Sequence, residues 1–360
     1  MTHANKNFGS DNVTPASQEV MEAIIAANSG ALNSYGDDPF TERLTTRVSA
    51  TFEKDDLVVY PVATGTAANS LALSALSPPY GAVYCHESAH ILTDECGAPE
   101  FYTGGAKIIG LPSVDGKLIP AQLKEPLSRA AELGVHHVMP AALSLTQSTE
   151  WGTVYAPDEV RALSEAAHAH GLGVHMDGSR IANAVAHLGC SPAEITWKAG
   201  IDVLCLGATK NGALAAEAVV FFNRSYAAGF DSRQKRGGHL WAKMRFLSTQ
   251  LLAYLEAGLW LRNAAHANAM ATRLAAGLAT LPAIEVVHPV QSNELFCSMP
   301  EAVLRALCAE GYEFHRWPVP HPGPDPVIRL VTAFCTTTVD VDTLISAASR
   351  FLRDASCSPR

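Results

Sequence analysis

Short, wholly apolar runs separated by helix-like segments are the feature that most limits how this chain can fold. Through the first 260 residues these runs include VVYPVA, AVYCH, AKIIGL, LGVHMD, DVLCLGA and AVVFF, with amphipathic stretches such as TAANSLALSAL between them. A strand that is apolar on both faces belongs in a sheet covered by helices on both sides. The pattern therefore predicts an α/β fold with a parallel or mixed sheet.

The later part of the chain has a different organisation. Residues 247–281 read as one long helix, with no strong breaker before Pro282. Strand-like and helix-like segments follow, as expected of a smaller α+β domain, with a Pro-rich surface loop at 318–326. We therefore predict an N-terminal segment and large domain over residues 1–255, and a bridging helix with a small C-terminal domain over residues 256–360.

Composition excludes several classes of function. Hydrophobic residues make up 48% of the 360 residues and charged residues 17%, with a net charge of -9, which is typical of a soluble enzyme and unfavourable for nucleic-acid binding. No apolar run is long enough to cross a bilayer, and the polar N-terminus does not resemble a signal peptide. The eight cysteines form no CxxC unit. We expect a cytoplasmic protein with no membrane partner, no nucleic-acid partner and no metal site.

The segment HMDGSR at 175–180 ends an apolar strand, where open α/β sheets bind their ligands. Alternation along a strand puts His175 and Asp177 on the same face. A buried carboxylate at that place needs a cationic or N–H partner, and a pyridinium nitrogen would supply one. The alternative is that Asp177 only caps the following helix.

Lys210 follows the next apolar strand, in a turn of small residues between two buried segments. A lysine between buried strands is unusual as a solvating charge. It is suited to act as an amine in a confined site, ready to form an imine. Taken alone, Lys210 is equally compatible with a surface lysine whose ammonium reaches water.

Thr64, Gly65 and Thr66 lie between a strand and a helix start. Backbone N–H groups and hydroxyls at a helix N-terminus can bind an anion such as a monophosphate. Ordinary helix capping explains many such turns as well. The chain has neither a G-x-G-x-x-G nor a G-x-x-x-x-G-K-[ST] motif, so dinucleotide and P-loop sites lose their main support.

Together these segments resemble the threonine aldolase family of pyridoxal 5'-phosphate (PLP) enzymes, over nearly the whole chain. The matching motifs, in order, are Ser10-Asp11-Asn12, Tyr35-Gly36-Asp37-Asp38, ATGTAAN (63–69), Ser88-Ala89-His90, HMDGSR, ATKNG and IRLVT (328–332). GATKNGALAAEA is similar to the phenylserine aldolases, within a bacterial subset that includes low-specificity threonine aldolases. The resemblance implies fold type I, with a mostly parallel seven-stranded sheet and a smaller α+β C-terminal domain.

The resemblance also implies the cofactor site. Lys210 matches the lysine that carries PLP as a Schiff base, and Asp177 matches the partner of the pyridine nitrogen. Gly65 and Thr66 match phosphate ligands, while His90 matches the imidazole stacked on the ring, a role that suits a flat side chain.

Substrate contacts are implied in the same way. Ser10, Arg180 and Arg329 match the site for the substrate carboxylate, where a planar guanidinium can fix the orientation of the amino acid. Arg180 is expected to contact the cofactor as well. For a single arginine the alternative is a structural ion pair. Tyr35 and residues 231–245 are expected to complete the site of a neighbouring subunit in a homodimer or homotetramer.

The base that removes the substrate hydroxyl proton is left open. Glu150 stands where many relatives have a histidine. Candidates are His90, His136, Asp94 and a bound water. His136 could instead be a surface histidine, and Asp94 a solvated charge.

The resemblance implies cleavage of L-β-hydroxy-α-amino acids, such as threonine, allo-threonine and phenylserine, into glycine and an aldehyde. Two rivals remain. A PLP-dependent β-eliminating lyase or aminotransferase would share the fold and cofactor. A non-catalytic protein on the same scaffold would bind PLP without turnover.

Overall fold

The structure is a computed structural model that describes residues 4–113, 115–317 and 322–357. The first half of the expected Pro-rich loop, residues 318–321, lies outside the described residues. Within the described part of the chain, eleven strands form: β1 (Val58–Val62), β2 (Gly81–His86), β3 (Lys107–Leu111), β4 (Met139–Thr146), β5 (Gly173–Gly178), β6 (Val203–Gly207), β7 (Glu217–Phe221), β8 (Glu285–Val286), β9 (Glu294–Ser298), β10 (His315–Arg316) and β11 (Val327–Val331).

The same ranges contain the following α-helices: α1 (Gln18–Ala27), α2 (Pro39–Phe52), α3 (Gly65–Leu76), α4 (His90–Thr93), α5 (Ala98–Thr103), α6 (Ala121–Leu133), α7 (Pro157–His168), α8 (Ile181–Leu188), α9 (Phe230–Arg236), α10 (Arg245–Leu255), α11 (Leu259–Leu278), α12 (Glu301–Ala309) and α13 (Thr338–Cys357). None of the described helices is both long enough and apolar enough to span a membrane.

The first seven strands form one sheet in the order β1-β7-β6-β5-β4-β2-β3. All neighbours from β3 to β6 pair in parallel, whereas β7 runs antiparallel to both β6 and β1. Hydrophobic clusters cover the sheet on both faces, which is why its strands are apolar throughout. The predicted α/β fold with a mostly parallel seven-stranded sheet is confirmed.

The direction of the strands determines where a site can form. Because β1, β2, β4, β5 and β6 run the same way, their carboxyl ends meet at one edge of the sheet. Asp177 lies at the carboxyl end of β5, and the segments that follow the other strands carry the TGT sequence, His90, Glu150 and Lys210. The edge at which open α/β sheets bind ligands therefore gathers most of the predicted residues.

The second sheet is antiparallel, in the order β10-β11-β9-β8, and packs with α11, α12 and α13. Its hydrophobic core includes Phe8 from the N-terminal segment, which is 1% exposed. The Phe8 N–H donates to the carbonyl of Glu313, and its carbonyl accepts from the Val331 N–H, both at 2.8 Å. The two sheets have separate cores, and the N-terminal segment packs with the second sheet; the division near residue 255 stays a prediction.

The prediction of one helix over residues 247–281 is wrong. Helix α10 ends at Leu255 and α11 begins at Leu259, with Ala257 at φ 47° and Gly258 at φ 69° between them. Left-handed backbone at two successive residues cannot continue a right-handed helix. Gly258, which adopts this conformation without steric cost, makes the break possible.

Candidate active site

Asp177 lies at the carboxyl end of β5 and is buried. One of its oxygens accepts from the Ser179 N–H at 2.9 Å, and the other accepts from the Asn69 amide at 2.9 Å. Burial raises the pKa of Asp177, but the charges of Lys210 and His90 and these hydrogen bonds lower it below its usual value. Arg180, not Asp177, is the N-cap residue of α8, so helix capping does not account for this carboxylate.

Lys210 is half-buried in a turn directly after β6, the strand that pairs with β5. Glu217 of β7 shapes the turn, because its carboxylate accepts from the N–H groups of Ala208 at 3.0 Å and Thr209 at 3.4 Å. Burial raises the pKa of Glu217 to about 7. Lys210 follows the strand that neighbours the one ending beside Asp177, close enough for its charge to lower the pKa of Asp177.

The Thr64-Gly65-Thr66 turn joins β1 to the N-terminus of α3. Thr64 caps this helix, with its hydroxyl accepting from the Ala67 N–H at 3.2 Å. A Cβ atom placed on Gly65 would meet nothing within 4 Å, so open space adjoins the backbone there. N–H groups of a first helical turn have no acceptor within the helix. Capping and anion binding are therefore compatible at this turn.

A chain of hydrogen bonds connects Asp177 to His90. The Asn69 amide donates both to Asp177 and, at 2.8 Å, to Glu95, and Glu95 lies 2.9 Å from Nδ1 of His90. The bond to Glu95 raises the pKa of His90 against the opposing effect of burial. Burial likewise raises the pKa of Glu95, although its bonds to His90 and Asn69 oppose the change.

The sequence did not single out Asn69 or Glu95, although Asn69 lies in a motif used for the resemblance. The available signal was spacing: Asn69 follows Gly65 by four residues and so shares its face of α3. Nothing in the sequence pairs Asn69 with Glu95, because α3 meets the segment after α4 only in the folded chain.

Glu150 lies behind His90. Its Oε1 accepts from the His90 backbone N–H at 2.9 Å and from the Thr146 hydroxyl at 2.8 Å, which fixes the start of α4. Oε2 is buried and has no hydrogen-bond partner among the described residues. Burial raises the pKa of Glu150 to about 7.

Arg180 is buried at the start of α8 and bound by carboxylates from two other parts of the chain. It donates to both oxygens of Asp11, at 2.8 and 3.0 Å, and its Nη1 lies 3.2 Å from Oε2 of Glu294. Asn293 also donates to Asp11, at 3.0 Å. The structural ion pair considered for this arginine is therefore present.

Arg329 of β11 lies beside the same carboxylate. Its Nη1 is 3.6 Å from Oε1 of Glu294, its Nη2 donates to the Gly9 carbonyl at 3.2 Å, and its guanidinium lies 4.2 Å from the Trp317 ring centroid. Ser10 lies between the partners of the two arginines and accepts from the Asn12 N–H at 3.1 Å. The structure thus brings Ser10, Arg180 and Arg329 together, joined by Asp11 and Glu294, which the sequence reasoning missed.

Three of the predicted site residues lie away from this cluster or at its edge, namely His136, Asp94 and Tyr35. His136 is exposed in the turn before β4, at the opposite edge of the sheet, about 25 Å from the carboxyl ends for an eight-residue strand. Within a single chain His136 therefore lies apart from this cluster, and its catalytic role stays a prediction. Asp94 is exposed at the end of α4, accepts from the Thr93 hydroxyl at 2.7 Å, and is close enough for its charge to act on Arg329.

Tyr35 is half-exposed in the loop before α2, at φ 60°. Its ring lies 4.5 Å from the Lys235 ammonium, and its N–H donates to the Ala242 carbonyl at 3.3 Å. Both contacts are with the basic segment that was expected to act across a subunit boundary.

Comparison with known proteins agrees with this geometry. Residues 7–302 match the model of the beta-eliminating lyase family. Over 315 residues the chain is 47% identical to a low-specificity L-threonine aldolase of Pseudomonas sp. strain NCIMB 10558 and 45% identical to one of Pseudomonas aeruginosa. Each alignment covers 88% of this chain and 90% of the relative. The chain belongs to the threonine aldolases of the beta-eliminating lyase family.

Solved structures place this family member among fold type I PLP enzymes. It matches Leishmania major threonine aldolase with a TM-score of 0.90 and 26% identity, over 97% of this chain and 100% of the other. Rice TDC, solved with PLP and tryptamine, shares the fold with a TM-score of 0.79 and 15% identity, over 99% and 85% of the two chains.

PLP is the cofactor of this threonine aldolase, and its residues fit that group. A half-buried lysine can bind the aldehyde, a buried ionised carboxylate can pair with the ring nitrogen, and open space beside Gly65 at the start of α3 can admit a phosphate. The three elements lie at one edge of the sheet, as a single small cofactor requires.

Proposed function

We propose that this enzyme cleaves L-β-hydroxy-α-amino acids, namely threonine, allo-threonine and phenylserine, into glycine and an aldehyde. The observation that carries the proposal is the convergence of Lys210, Asp177 and His90 with two arginines at one edge of the sheet. The names of the two Pseudomonas relatives, both low-specificity L-threonine aldolases, support the same reaction.

The cofactor residues keep the roles implied by the sequence. Lys210 binds the PLP aldehyde, Asp177 holds the ring nitrogen protonated, and Gly65 and Thr66 bind the phosphate. When bound, PLP supplies an electron sink for the bond that breaks at the substrate α-carbon. The low pKa of Asp177 supports its role, because an ionised carboxylate favours a charged ring nitrogen.

The substrate carboxylate is assigned to Arg329, with Ser10 and Arg180 beside it. The fork of Arg180 is held by Asp11, whereas Nε of Arg329 is buried without a hydrogen-bond partner in the described part of the chain. Arg329 therefore has the donor available for a new ligand. Arg180 fixes the position of the N-terminal segment that carries Ser10. A contact between Arg180 and the cofactor stays a prediction.

His90 is assigned the proton of the β-hydroxyl group. Its Nδ1 is engaged by Glu95, while 42% of its side chain is exposed, which leaves Nε2 able to take a proton. Glu95 supports that step because its bond to the ring raises the pKa of His90. Asp94, near Arg329, is the second candidate.

An aldehyde-release assay tests the function. The purified holoenzyme is offered threonine, allo-threonine, serine and phenylserine, each as L and D forms, and both glycine and aldehyde are measured. Equal amounts of the two products from L-β-hydroxy amino acids are expected. Formation of pyruvate and ammonia would instead indicate a β-eliminating lyase. Transfer of the amino group would indicate an aminotransferase, and PLP binding without any product would indicate a non-catalytic protein.

A further inference from the structure

Glu294 lies at the first position of β9, between the two arginines of the proposed carboxylate site. It is 1% exposed. Its Oε2 lies 3.2 Å from Nη1 of Arg180, and its Oε1 lies 3.6 Å from Nη1 of Arg329. Neither oxygen has a hydrogen-bond partner of good geometry among the described residues. A buried carboxylate is normally satisfied by hydrogen bonds, so this arrangement requires an explanation.

The position of Glu294 conflicts with the binding of an amino acid. A substrate carboxylate that approaches the guanidinium of Arg329 meets a second carboxylate already beside the same group. Two ionised carboxylates in one buried site repel each other strongly, and the lowest-energy solution is usually that one of them becomes protonated.

We propose that Glu294 is an internal competitor for the substrate carboxylate, and that amino-acid binding requires Glu294 to take up a proton from solvent. This inference rests on the proposed function, because it assumes that an amino-acid carboxylate binds at Arg329. Glu294 acts here as a positioning residue. Its negative charge holds the guanidinium of Arg329 when the site is empty, and Glu294 becomes protonated when a ligand carboxylate takes its place beside Arg329.

The charged groups around Glu294 are compatible with this exchange. Arg180 faces it from the start of α8, Arg329 from β11, and Lys210 from the turn after β6, while Asp11 adds a negative charge from the N-terminal segment. Asp94 acts on Arg329 from the end of α4. Burial raises the pKa of Glu294, and the two arginines oppose that rise. Addition of one more carboxylate raises it further.

Glycine titration of the holoenzyme tests the proposal, because glycine has a carboxylate and an amine but undergoes no carbon–carbon cleavage. Its dissociation constant is measured from the change in cofactor absorbance, for the wild type and Glu294→Gln, from mildly acidic to mildly alkaline pH. The ratio of the wild-type constant to the variant constant should rise about tenfold per pH unit once Glu294 is ionised in the free wild-type enzyme. A ratio that stays constant across this range would overturn the proposal.

Two further variants control for trivial effects. Glu294→Asp keeps a carboxylate, so its glycine affinity should still fall relative to Glu294→Gln as the pH rises. Glu301→Gln removes a carboxylate paired with Arg305 and Arg316 at the surface of the same domain, and it should give the wild-type pH profile. An altered profile in Glu301→Gln, or a flat one in Glu294→Asp, would count against the proposal.

A calorimetric measurement keeps the proposal testable if Glu294→Gln does not fold. The wild-type holoenzyme is titrated with 3-hydroxybutyrate, which has the carboxylate and β-hydroxyl of threonine but no amine, in buffers of different ionisation enthalpy. Proton uptake at alkaline pH is expected, and binding without uptake would overturn the proposal. Since neither ligand is cleaved, proton-linked binding without aldehyde release from threonine would reject the proposed function alone.

Discussion

Asp11 and Arg180 form an ion pair that is almost fully removed from water. Their side chains are 2% and 9% exposed, and the guanidinium donates to both carboxylate oxygens. Burial raises the pKa of Asp11, but the charges of Arg180 and Lys210 outweigh it and hold the pKa below its usual value. Such a pair adds little net stability over apolar residues, yet the loss of one partner leaves a buried charge uncompensated.

Replacement of Asp11 by Asn should therefore lower the free energy of unfolding by about 3 kcal/mol at neutral pH. The native pKa is lowered, so the stabilisation by the ionised group is complete above the ordinary aspartate pKa and is lost as the pH falls through the lower native value. The difference between wild type and Asp11→Asn should shrink towards low pH. Urea unfolding at neutral and acidic pH measures this.

Glu301→Gln is the matched control, since Glu301 pairs with Arg305 and Arg316 at the surface. Its effect on the free energy of unfolding should be small, because solvent screens this exposed pair. If Asp11→Asn and Glu301→Gln lowered the free energy of unfolding equally, burial of the Asp11–Arg180 pair would not explain the effect at Asp11.

At this scale the sequence predicted the residues whose chemistry is unusual in their local surroundings. Lys210 and Asp177 stood out because a lysine and an aspartate directly follow apolar strands. No such signal marks Asn69, Glu95 or Glu294 in the sequence, because each of them contacts the site through a partner that is distant in sequence. The sequence pattern also does not show that the turn carrying His136 precedes β4, at the opposite edge of the sheet.

Among the elements, the N-terminus of α3 is the one whose backbone takes part in the proposed site. Gly65 has an ordinary negative φ, so its lack of a side chain is not required by the turn itself. The open space beside it is the space that the proposed phosphate site would use.

Replacement of Gly65 by Ala should separate folding from cofactor binding. The apoenzyme should be as stable as wild type or more stable by about 0.5 kcal/mol, since alanine restricts the unfolded chain. Affinity for PLP should fall on the order of tenfold or more, because the methyl group enters the space of the phosphate. Thermal unfolding of the apoenzyme and PLP titration measure the two effects.

Gly30→Ala is the control, because it should change the stability of the apoenzyme but not its affinity for PLP. Gly30 also has open space around it but has φ 66°, so alanine there should cost stability and leave PLP affinity unchanged. Unchanged PLP affinity in Gly65→Ala would contradict the assignment of this turn.

The break between α10 and α11 depends on backbone conformation alone. Gly258 has φ 69°, and a Cβ atom placed on it would meet nothing within 4 Å, so packing plays no part. Gly258→Ala should lower the free energy of unfolding by about 1 kcal/mol, and Gly258→Asn by less, because asparagine tolerates left-handed backbone better. A stabilising alanine, seen in chemical denaturation, would contradict the break.

The strands were predictable because both of their faces are buried and their sequences are apolar throughout. The break at 256–258 was not, since a single glycine within a helical pattern is compatible with either a continuous helix or its end.

For the whole molecule, the site lies where the two sheets and the N-terminal segment meet. Asp11 belongs to a segment whose Phe8 packs in the second core, Arg180 follows a strand of the first sheet, and Glu294 belongs to the second. The sequence predicted two domains from their different patterns. It did not indicate that the segment around Phe8 packs in the second core, because a short polar segment carries no periodicity.

Shared sites in a dimer are a prediction at this scale, supported by the position of Tyr35 and Lys235 at the surface of a single chain. Lys210→Ala and Tyr35→Ala are each expected to be inactive in aldehyde release. Chains of the two variants, unfolded and refolded together, should recover about one quarter of wild-type activity, because half of the dimers are hybrids with one intact site. No recovery, with mixed dimers present by mass spectrometry, would place Tyr35 and Lys210 in the site of the same chain.

Borohydride reduction of the holoenzyme, followed by peptide mapping for the PLP adduct, tests whether Lys210 carries the cofactor. The adduct should appear on the peptide that contains Lys210, and Lys210→Ala should show no adduct while retaining the wild-type circular dichroism spectrum. A reduced PLP adduct on another lysine of the wild type, or one that persists in Lys210→Ala, would contradict the assignment of Lys210 as the cofactor-binding lysine.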